Sequence, residues 1–425
     1  MPSLADGRHS MVAVLFAFAL AAPSPLRLAE LLREAREKNP DLKAAEARTQ
    51  AARESVSPAG ALDDPMLMVQ LWNAPVDFSS IPVMVQLTQP IPLGGKRAAR
   101  TDAARADASM AEAELAGKRR EIETQVASAY FDLFLAERTL EVDDELEGLL
   151  KVLLQSSEAR VSTGKGEQVE LLRAQGSLVQ LKSDRETAVD HRRSAWSRLA
   201  SLLDRDLAAP TGTTTQPGML TSLPEVSELQ QRALRERPEL AAARAQIAAA
   251  EAQARLAKAS TVPDLGVFAA EMHVFRNPGG PSNFLFAGVQ VNLPIFSGGK
   301  NRPRIASAQA LVIAAQEATH ALRNRVASEI AETYAHLLAE QHQIDLHHQL
   351  IPIARQTVES AQSSYAAGRT AFVMVLDSAR ELRMHELDLA THFAMYEQRL
   401  AELQRAVGAD LGLERSAEAG HEERH

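Results

Sequence analysis

Two stretches decide the fold of this 425-residue chain: Gln89-Pro-Ile-Pro-Leu-Gly-Gly-Lys-Arg97 and Leu293-Pro-Ile-Phe-Ser-Gly-Gly-Lys300. They are one motif written twice, with matched pairs at a constant offset: Gln86 and Gln290, Pro90 and Pro294, Ile91 and Ile295, Gly94 and Gly298, Gly95 and Gly299, Lys96 and Lys300. Further matches lie outside the motif: residues 31–42 with 229–240, Tyr130 with Tyr334, and Gly164 with Gly368. A duplicated sequence indicates one structural unit used twice.

Each repeat has the same predicted order: a helix start near a proline, a β-hairpin, the Gly-Gly-Lys junction, a very long helix, a glycine turn and a returning helix. The predicted segments are a first repeat at 28–206 with its hairpin at 62–93, a linker at 207–224, a second repeat at 225–412 with its hairpin at 262–297, and a disordered polar tail at 413–425. The linker is rich in Thr, Gly and Pro and is expected to be loose.

The composition favours long helices over a compact core. Ala, Glu, Gln, Leu and Arg dominate long stretches, and aromatic residues make up only 4%. A helix that begins at Lys96 and runs to Ser162 would be about 100 Å long at 1.5 Å per residue. Matched helices of this length, each starting below a hairpin, predict a mainly α fold with β-hairpins, in which the helices form the wall of an elongated α-barrel.

The N-terminus carries the pattern of a secretory signal. Arg8 and His9 precede an apolar run over residues 11–22, and Ala19-Leu20-Ala21 supplies a small-x-small cleavage pattern, so residues 1–21 are predicted to be a signal peptide. The run is too short for a transmembrane helix, and no later segment is long and apolar enough. The chain has no cysteine, which fits an exported protein and removes the thiol for a lipid anchor.

Charge and residue types exclude several functions. A net charge of −9 argues against a nucleic-acid partner, because phosphate binding needs clustered positive charge. A phosphate-binding loop at Gly-Gly-Lys is rejected, since neither copy has the required upstream glycine or a Ser or Thr after the lysine. No hydrolase triad or paired catalytic carboxylates stand out, so we expect neither an enzyme nor a resident cofactor.

The two hairpins suggest a membrane barrel that one chain cannot close. In the last strand, apolar residues alternate with Gly288, Gln290 and Asn292. Four strands are too few for a barrel, whose minimum is about eight, whereas three copies would supply twelve. Much of the scarce aromatic supply lies in the hairpins: Trp72, Phe78, Phe268, Phe275, Phe284, Phe286 and Phe296. The alternative is that these residues pack a small soluble β core.

The two junctions, together with Tyr365-Ala-Ala-Gly368 and the following Val375-Leu-Asp377, resemble the outer-membrane efflux proteins, the TolC-like channels. The resemblance implies a homotrimer with a 12-stranded barrel in the outer membrane of a Gram-negative bacterium and an α-helical tunnel across the periplasm. It also implies that an inner-membrane efflux pump and a periplasmic adaptor protein are partners, with lipid around the barrel. The Gly-Gly-Lys-Arg junction looks most similar to the heavy-metal branch of the family.

The same resemblance implies a gate at the two glycine turns, Gly164 and Gly368. Its residues by position are a tyrosine that bonds an acid across the turns, a ring carboxylate and a nearby arginine: Tyr365, Glu170, Asp377 and Arg369. Met374 occupies the other acidic position of the family pattern, so the acidic ring is thinner here. The alternative is a packing role for Tyr365 and solvated helix faces for Glu170 and Asp377.

The junction residues have a predicted role at the membrane edge. The glycine pairs Gly94-Gly95 and Gly298-Gly299 would allow the sharp change from strand to helix, and four basic side chains would reach lipid head groups: Lys96, Arg97, Lys300 and Arg302.

Four histidines, His336, His342, His347 and His348, fall on one helix. Their spacing is not the i, i+4 pair of helical zinc sites, so we interpret them as a solvated or inter-helix face, with metal binding left open. Two other functions also stay open: a duct for type I protein secretion, and a soluble periplasmic adaptor or scaffold. The scaffold is disfavoured because each repeat carries its own hairpin.

Overall fold

The computed structural model describes residues 25–71, 82–164, 166–207, 212–275, 279–293, 298–412 and 415. The signal-peptide prediction for residues 1–21 lies outside this part of the chain. The elements of the first repeat are α1 (Leu28–Lys38), α2 (Pro40–Glu54), α3 (Val56–Ala59), β1 (Met66–Leu71), β2 (Val83–Ile91), α4 (Lys96–Ser162) and α5 (Gln168–Leu202). Those of the second are α6 (Val226–Glu236), α7 (Pro238–Ala259), β3 (Asp264–His273), β4 (Asn283–Asn292), α8 (Gly298–Ala366) and α9 (Phe372–Val407). The chain is mainly helical with a minority of strands.

The first helix pair is broken by local chemistry at Asn39-Pro40. Pro40 lacks an N–H and occupies the first position of α2, where no intrahelical donor is needed. The side-chain oxygen of Asn39 accepts hydrogen bonds from the amides of Asp41 (3.0 Å) and Leu42 (3.2 Å). The second repeat uses the same break, since α7 also begins at a proline, Pro238.

Four long helices form the body of the molecule. α4 has 67 residues and α8 has 69, so each is about 100 Å long. α5 and α9 return along them after tight turns in which Gly164 and Gly368 both have φ +70°, a conformation that favours glycine. α4 packs against α5, α7 and α9, and α8 packs against α7 and α9. Among the helices described, none contains an apolar stretch sufficient to cross a bilayer.

Two buried clusters hold the helices together. The larger joins α1, α4, α5, α6, α8 and α9 and includes Tyr130, Phe131 and Tyr396. The Tyr130 and Phe131 rings meet edge to face at 5.2 Å. The smaller cluster lies near the glycine turns, where Tyr365 and Phe372 pack with leucines of α4 and α5. The burial therefore concentrates at the middle of the helices and at their turns.

Described residues of the linker and of the tail contact the helices at two points. Glu137 of α4 accepts hydrogen bonds from the amide (2.8 Å) and the hydroxyl (2.7 Å) of Thr214, so the expected loose linker is fastened here. Arg415, in the predicted disordered tail, forms a two-pronged ion pair with buried Glu397 at 2.6 and 2.8 Å. Residues 208–211 and the rest of the tail lie outside the described chain.

The four strands form one antiparallel sheet in the order β1-β2-β3-β4. β2 joins the two repeats by pairing with β3, with Gln86 opposite Ala270. Phe268 lies over Gly288 on the neighbouring strand, where an added Cβ would stand 2.7 Å from the ring. Within the described residues β1 and β4 are therefore the edges. Trp72, Phe78 and Phe296, predicted as part of an aromatic belt, are outside the described residues.

Candidate functional site at the helical turns

Tyr365 joins the two glycine turns. It lies near the end of α8, and its hydroxyl donates a hydrogen bond to Glu170 Oε2, on α5, at 3.0 Å. On α4, Ser157 Oγ lies 3.3 Å from the same hydroxyl, and the Arg160 guanidinium carbon is 4.8 Å from the ring centroid. Phe372 of α9 meets the ring edge to face at 5.9 Å. One side chain of α8 thus contacts the three other long helices.

We call Tyr365, Ser157, Arg160 and Glu170 the tyrosine cluster. Burial is the main cause that raises the pKa of Tyr365, and the Glu170 carboxylate acts in the same direction. The phenol therefore stays protonated at neutral pH and remains a donor to Glu170. Arg160 also donates to the backbone carbonyl of Tyr365 at 3.2 Å, which adds a second link from α4 to α8.

The sequence pointed to Tyr365 and Glu170, and the structure brings them together. It did not point to Ser157 or Arg160. The sequence nevertheless contained the information needed to find them, since a buried tyrosine hydroxyl needs a hydrogen-bond partner. Ser157 and Arg160 are three residues apart, so they share one helix face, and both lie within two turns of Gly164.

Asp377 and Arg369 are not part of this cluster. The Asp377 side chain is 62% exposed, and its nearest cation is Arg380, one turn along the same helix, at 3.9 Å. Arg369 and Met374 are also exposed. Within one chain, then, the predicted gate residues separate into a buried pair and exposed surface positions around the turn.

A buried ion pair lies above the tyrosine cluster, farther from the turns. Asp143 of α4 is fully buried, and Arg383 of α9 donates to its Oδ1 at 2.7 Å. The same guanidinium lies 3.5 Å from Asp184 of α5. This contact ties three helices together across the two repeats.

The first strand-to-helix junction corrects one prediction. Gly94 (φ +71°) and Gly95 (φ +80°) make the sharp turn that was expected. Lys96, however, is buried, and its ammonium group donates to the Val262 carbonyl at 2.7 Å and to Asp264 Oδ1 at 2.6 Å. The prediction that Lys96 reaches lipid head groups is wrong, because its charge is satisfied inside the chain.

Arg97 is exposed, and it too bonds to its own chain. Its guanidinium donates twice to the carbonyl of Gly60, at 2.9 and 2.7 Å. The bonds of Lys96 and Arg97 therefore fasten the first junction to neighbouring parts of the chain.

The second junction differs from the first. Gly298 and Gly299 belong to the first turn of α8, whereas Gly94 and Gly95 precede the first residue of α4. Lys300 and Arg302 are exposed, as head-group contact requires. Residues 294–297 lie outside the described chain.

The four α8 histidines that the sequence analysis considered do not form one cluster. His336, His342 and His348 are exposed, whereas His347 is buried against α9. There its ring meets two histidines that sequence reasoning missed, His385 at 5.4 Å and His392 at 5.6 Å between centroids. The sequence did contain a sign of them, because the spacing i, i+3 and i+7 puts His385, Asp388 and His392 on one face of one helix.

Comparisons with known proteins agree with this architecture. The chain is 28% identical over 387 residues to the cobalt-zinc-cadmium resistance protein CzcC of Cupriavidus metallidurans, covering 89% of this chain and 88% of that protein. The outer membrane protein VceC from Vibrio cholerae has a TM-score of 0.76 at 20% identity, over 90% of this chain and 96% of that one. The open-state MtrE outer membrane channel of Neisseria gonorrhoeae has a TM-score of 0.77 at 20% identity, over 90% and 89%.

The family model described as outer membrane efflux protein matches residues 31–205 and 229–409, which are the bodies of both repeats. This match is at odds with the alternative of a soluble adaptor or scaffold. The chain belongs to the outer membrane efflux protein family, and it is an efflux channel of the outer membrane.

Proposed function

We propose that three copies of the chain close a 12-stranded β-barrel in the outer membrane. The observation that carries the proposal is the open sheet: β1 and β4 are unpaired edges within the described chain, and they run in opposite directions. β4 of one copy can therefore pair antiparallel with β1 of the next. Closing all edges is what a sheet in lipid requires, because no water is present to satisfy its backbone groups.

Strand length and surface support the same proposal. β3 and β4 each have 10 residues and β2 has 9, the length that a tilted strand needs to span a bilayer. Apolar side chains of the edge strands are strongly exposed, with Leu285 at 85% and Val69 at 63%. A patch of this kind indicates contact with lipid or another chain.

The helices then form a tunnel that extends about 100 Å from the barrel, with the glycine turns at its far end. An inner-membrane pump and a periplasmic adaptor would dock at those turns. Exposed apolar side chains flank them, Val169 and Leu172 on α5 and Met374 on α9, and would provide contacts for a partner. Solute would leave the cell passively through the tunnel.

The tyrosine cluster would hold the far end closed. Tyr365 ties α8 to α4 and α5, so separating the two turns breaks its bonds to Ser157 and Glu170. Asp377 and Arg369 are exposed and would contribute charge at the aperture or contact the adaptor.

Metal ions are the cargo class we favour. The name of CzcC specifies cobalt, zinc and cadmium resistance, and that protein is matched over 89% of this chain. This favours metal-ion efflux over protein secretion. Deleting the gene in its host should raise sensitivity to Zn²⁺, Co²⁺ or Cd²⁺, and re-expression should restore resistance. Unchanged metal sensitivity would exclude this cargo while leaving the channel architecture untouched.

The barrel is tested by a pair of neighbouring substitutions in β4. Val289 and Gln290 point to opposite faces of the strand. If Val289 faces lipid, Val289→Lys costs about 2–4 kcal/mol per chain near the bilayer midplane and lowers the yield of assembled trimer. Gln290→Lys, facing the lumen, should assemble normally.

The measurement is the mass of the undenatured, detergent-extracted protein from the outer-membrane fraction. A trimer whose yield falls only with Val289→Lys supports the proposal. A water-soluble monomer, or equal effects of the two substitutions, contradicts it.

A further inference from the structure

The helical body contains a compact group of metal-ligating side chains between α8 and α9. His347 projects from α8, and His385 and Asp388 stand one turn apart on α9. One potential ligand atom from each lies within 4.8 Å of those of the other two. In the part of the chain that the structure describes, no other set of three such residues meets this condition.

Burial separates this group from ordinary surface histidines. His347 is 6% exposed, and Nδ1 of both His347 and His385 is buried without a hydrogen-bond partner among the described residues. Buried polar atoms are normally bonded, so two orphaned imidazole nitrogens on rings 5.4 Å apart call for a ligand.

Two of the surrounding carboxylates are engaged by other partners, and the exposed Glu381 lies 4.0 Å from Nε2 of His385. Glu340 bonds the ring of His392 at 2.7 Å, and Glu386 is engaged by Arg355 at 2.8 Å. Asp388 forms no ion pair within the described chain and faces His347. His392 stacks on His347 at 5.6 Å and fixes the orientation of that ring.

We propose that His347, His385 and Asp388 bind one divalent transition-metal ion of the Zn²⁺ or Co²⁺ type. Two imidazoles and a carboxylate suit such ions, whereas Mg²⁺ and Ca²⁺ prefer all-oxygen sites. Donors around tetrahedral zinc lie about 3.4 Å apart, as its bond lengths of about 2.0–2.1 Å require, so small side-chain rotations close the site. Water completes the coordination.

Bound metal would clamp α8 to α9 about 27 Å from Tyr365, which lies 18 residues further along α8. The site is distinct from the tyrosine cluster and does not depend on which solute the channel carries. Its experimental test therefore needs no transport measurement.

The test uses the full-length protein, extracted in detergent and stripped of metal. Titration with Co²⁺ should give the visible absorption bands of a low-symmetry site, saturating at one ion per chain, and Zn²⁺ should abolish them by displacement. His385→Gln and Asp388→Asn should each weaken binding by at least about 100-fold, because loss of a direct ligand exceeds the 10–100-fold cost of losing an outer partner.

The matched control replaces three exposed histidines of the same helix, His336→Gln, His342→Gln and His348→Gln together. This triple variant should bind Co²⁺ as the unaltered protein does. Absence of a saturable one-to-one signal in the unaltered protein overturns the proposal, whether or not the variants fold. So does loss of the signal in the triple variant with retention in folded His385→Gln, because the binding would then belong to the surface.

Discussion

The two repeats differ most in the buried polar residues at equivalent positions of their long helices. At the 204-residue offset that relates Gly164 to Gly368, Asp143 of α4 corresponds to His347 of α8, and Asp184 of α5 to Asp388 of α9. In the first repeat these positions hold an ion pair with Arg383, which comes from the second repeat. In the second repeat the equivalent residues, His347 and Asp388, form a group with His385.

The difference shows that duplication kept the elements and changed their contacts. The long helices and the glycine turns are nearly equal in the two repeats, yet the buried polar groups are not. Three of the polar contacts that join one repeat to the other are Arg383 to Asp143, Lys96 to Asp264 and Tyr365 to Glu170. None of the three recurs between the equivalent residues when the two repeats are swapped. The group formed by His347, His385 and Asp388, by contrast, lies entirely within the second repeat.

The largest effect is expected at the inter-repeat ion pair. Arg383→Met leaves the carboxylate of Asp143 fully buried without its cation. Breaking a buried pair in this way costs about 3–5 kcal/mol. Thermal unfolding of the detergent-extracted protein should therefore show a large drop in midpoint.

The control is the double variant Arg383→Met with Asp143→Leu. Replacing both partners with apolar side chains removes the uncompensated charge, so most of the lost stability should return. If the double variant is as unstable as the single one, the loss comes from packing and the charge argument fails.

This ion pair also marks what sequence could and could not predict. The repeat, the glycine turns and the long helices followed from residue spacing, because periodicity and glycine chemistry act locally. The Tyr365–Glu170 contact followed from a family pattern. The partners Ser157, Arg160 and Arg383 did not, because they depend on which helix faces which, and a one-dimensional pattern does not carry that information. The burial of Lys96 was missed for the same reason.

The junction lysines allow a direct comparison of the repeats. Lys96→Met removes two charge-assisted hydrogen bonds, to the Val262 carbonyl and to Asp264, and should cost about 2 kcal/mol. Lys300→Met, at the equivalent position, removes only an exposed side chain and should leave the unfolding midpoint unchanged. Equal losses from the two substitutions would mean that the junctions are more alike than their contacts indicate.

A smaller effect on stability is expected from Tyr365→Phe, but with a larger functional consequence. The ring stays packed while the hydroxyl bonds to Glu170 and Ser157 are lost, at about 1–2 kcal/mol because Glu170 is only half-buried. Ion conductance in planar bilayers should rise, since the bond across the turns is gone.

The matched variant for this site is Glu170→Gln, which keeps a neutral acceptor for the phenol and should raise conductance less than Tyr365→Phe. Conductance that is unchanged in Tyr365→Phe would remove the tyrosine cluster from the gate and leave it a packing role.

The smallest predicted effect is a pH-dependent difference in stability between α1 and α6, the first helices of the two repeats. Glu34 of α1 pairs with Arg205, and the hydrogen bond from Arg205 is the main cause that lowers the pKa of Glu34 below its ordinary 4.5. At the corresponding position of α6, Arg232 donates to the backbone carbonyl of Asp410 at 2.9 Å, and a carbonyl does not titrate. Arg232 also bonds the exposed Glu236 within α6 at 3.1 Å, so at these two positions only α1 is tied to another element through an acid.

Because the folded pKa of Glu34 is lowered, its stabilising contribution is complete above pH 4.5 and is lost as the pH falls through the folded value. Hydrogen exchange, corrected for intrinsic rates, should show the amides of α1 losing protection relative to those of α6 between pH 5.5 and pH 3.5. Glu34→Gln has no carboxylate to protonate, so in this variant the difference between the two helices should not change with pH. If it still changes, another acid near α1 controls that helix, and the asymmetry between the repeats does not originate at Glu34.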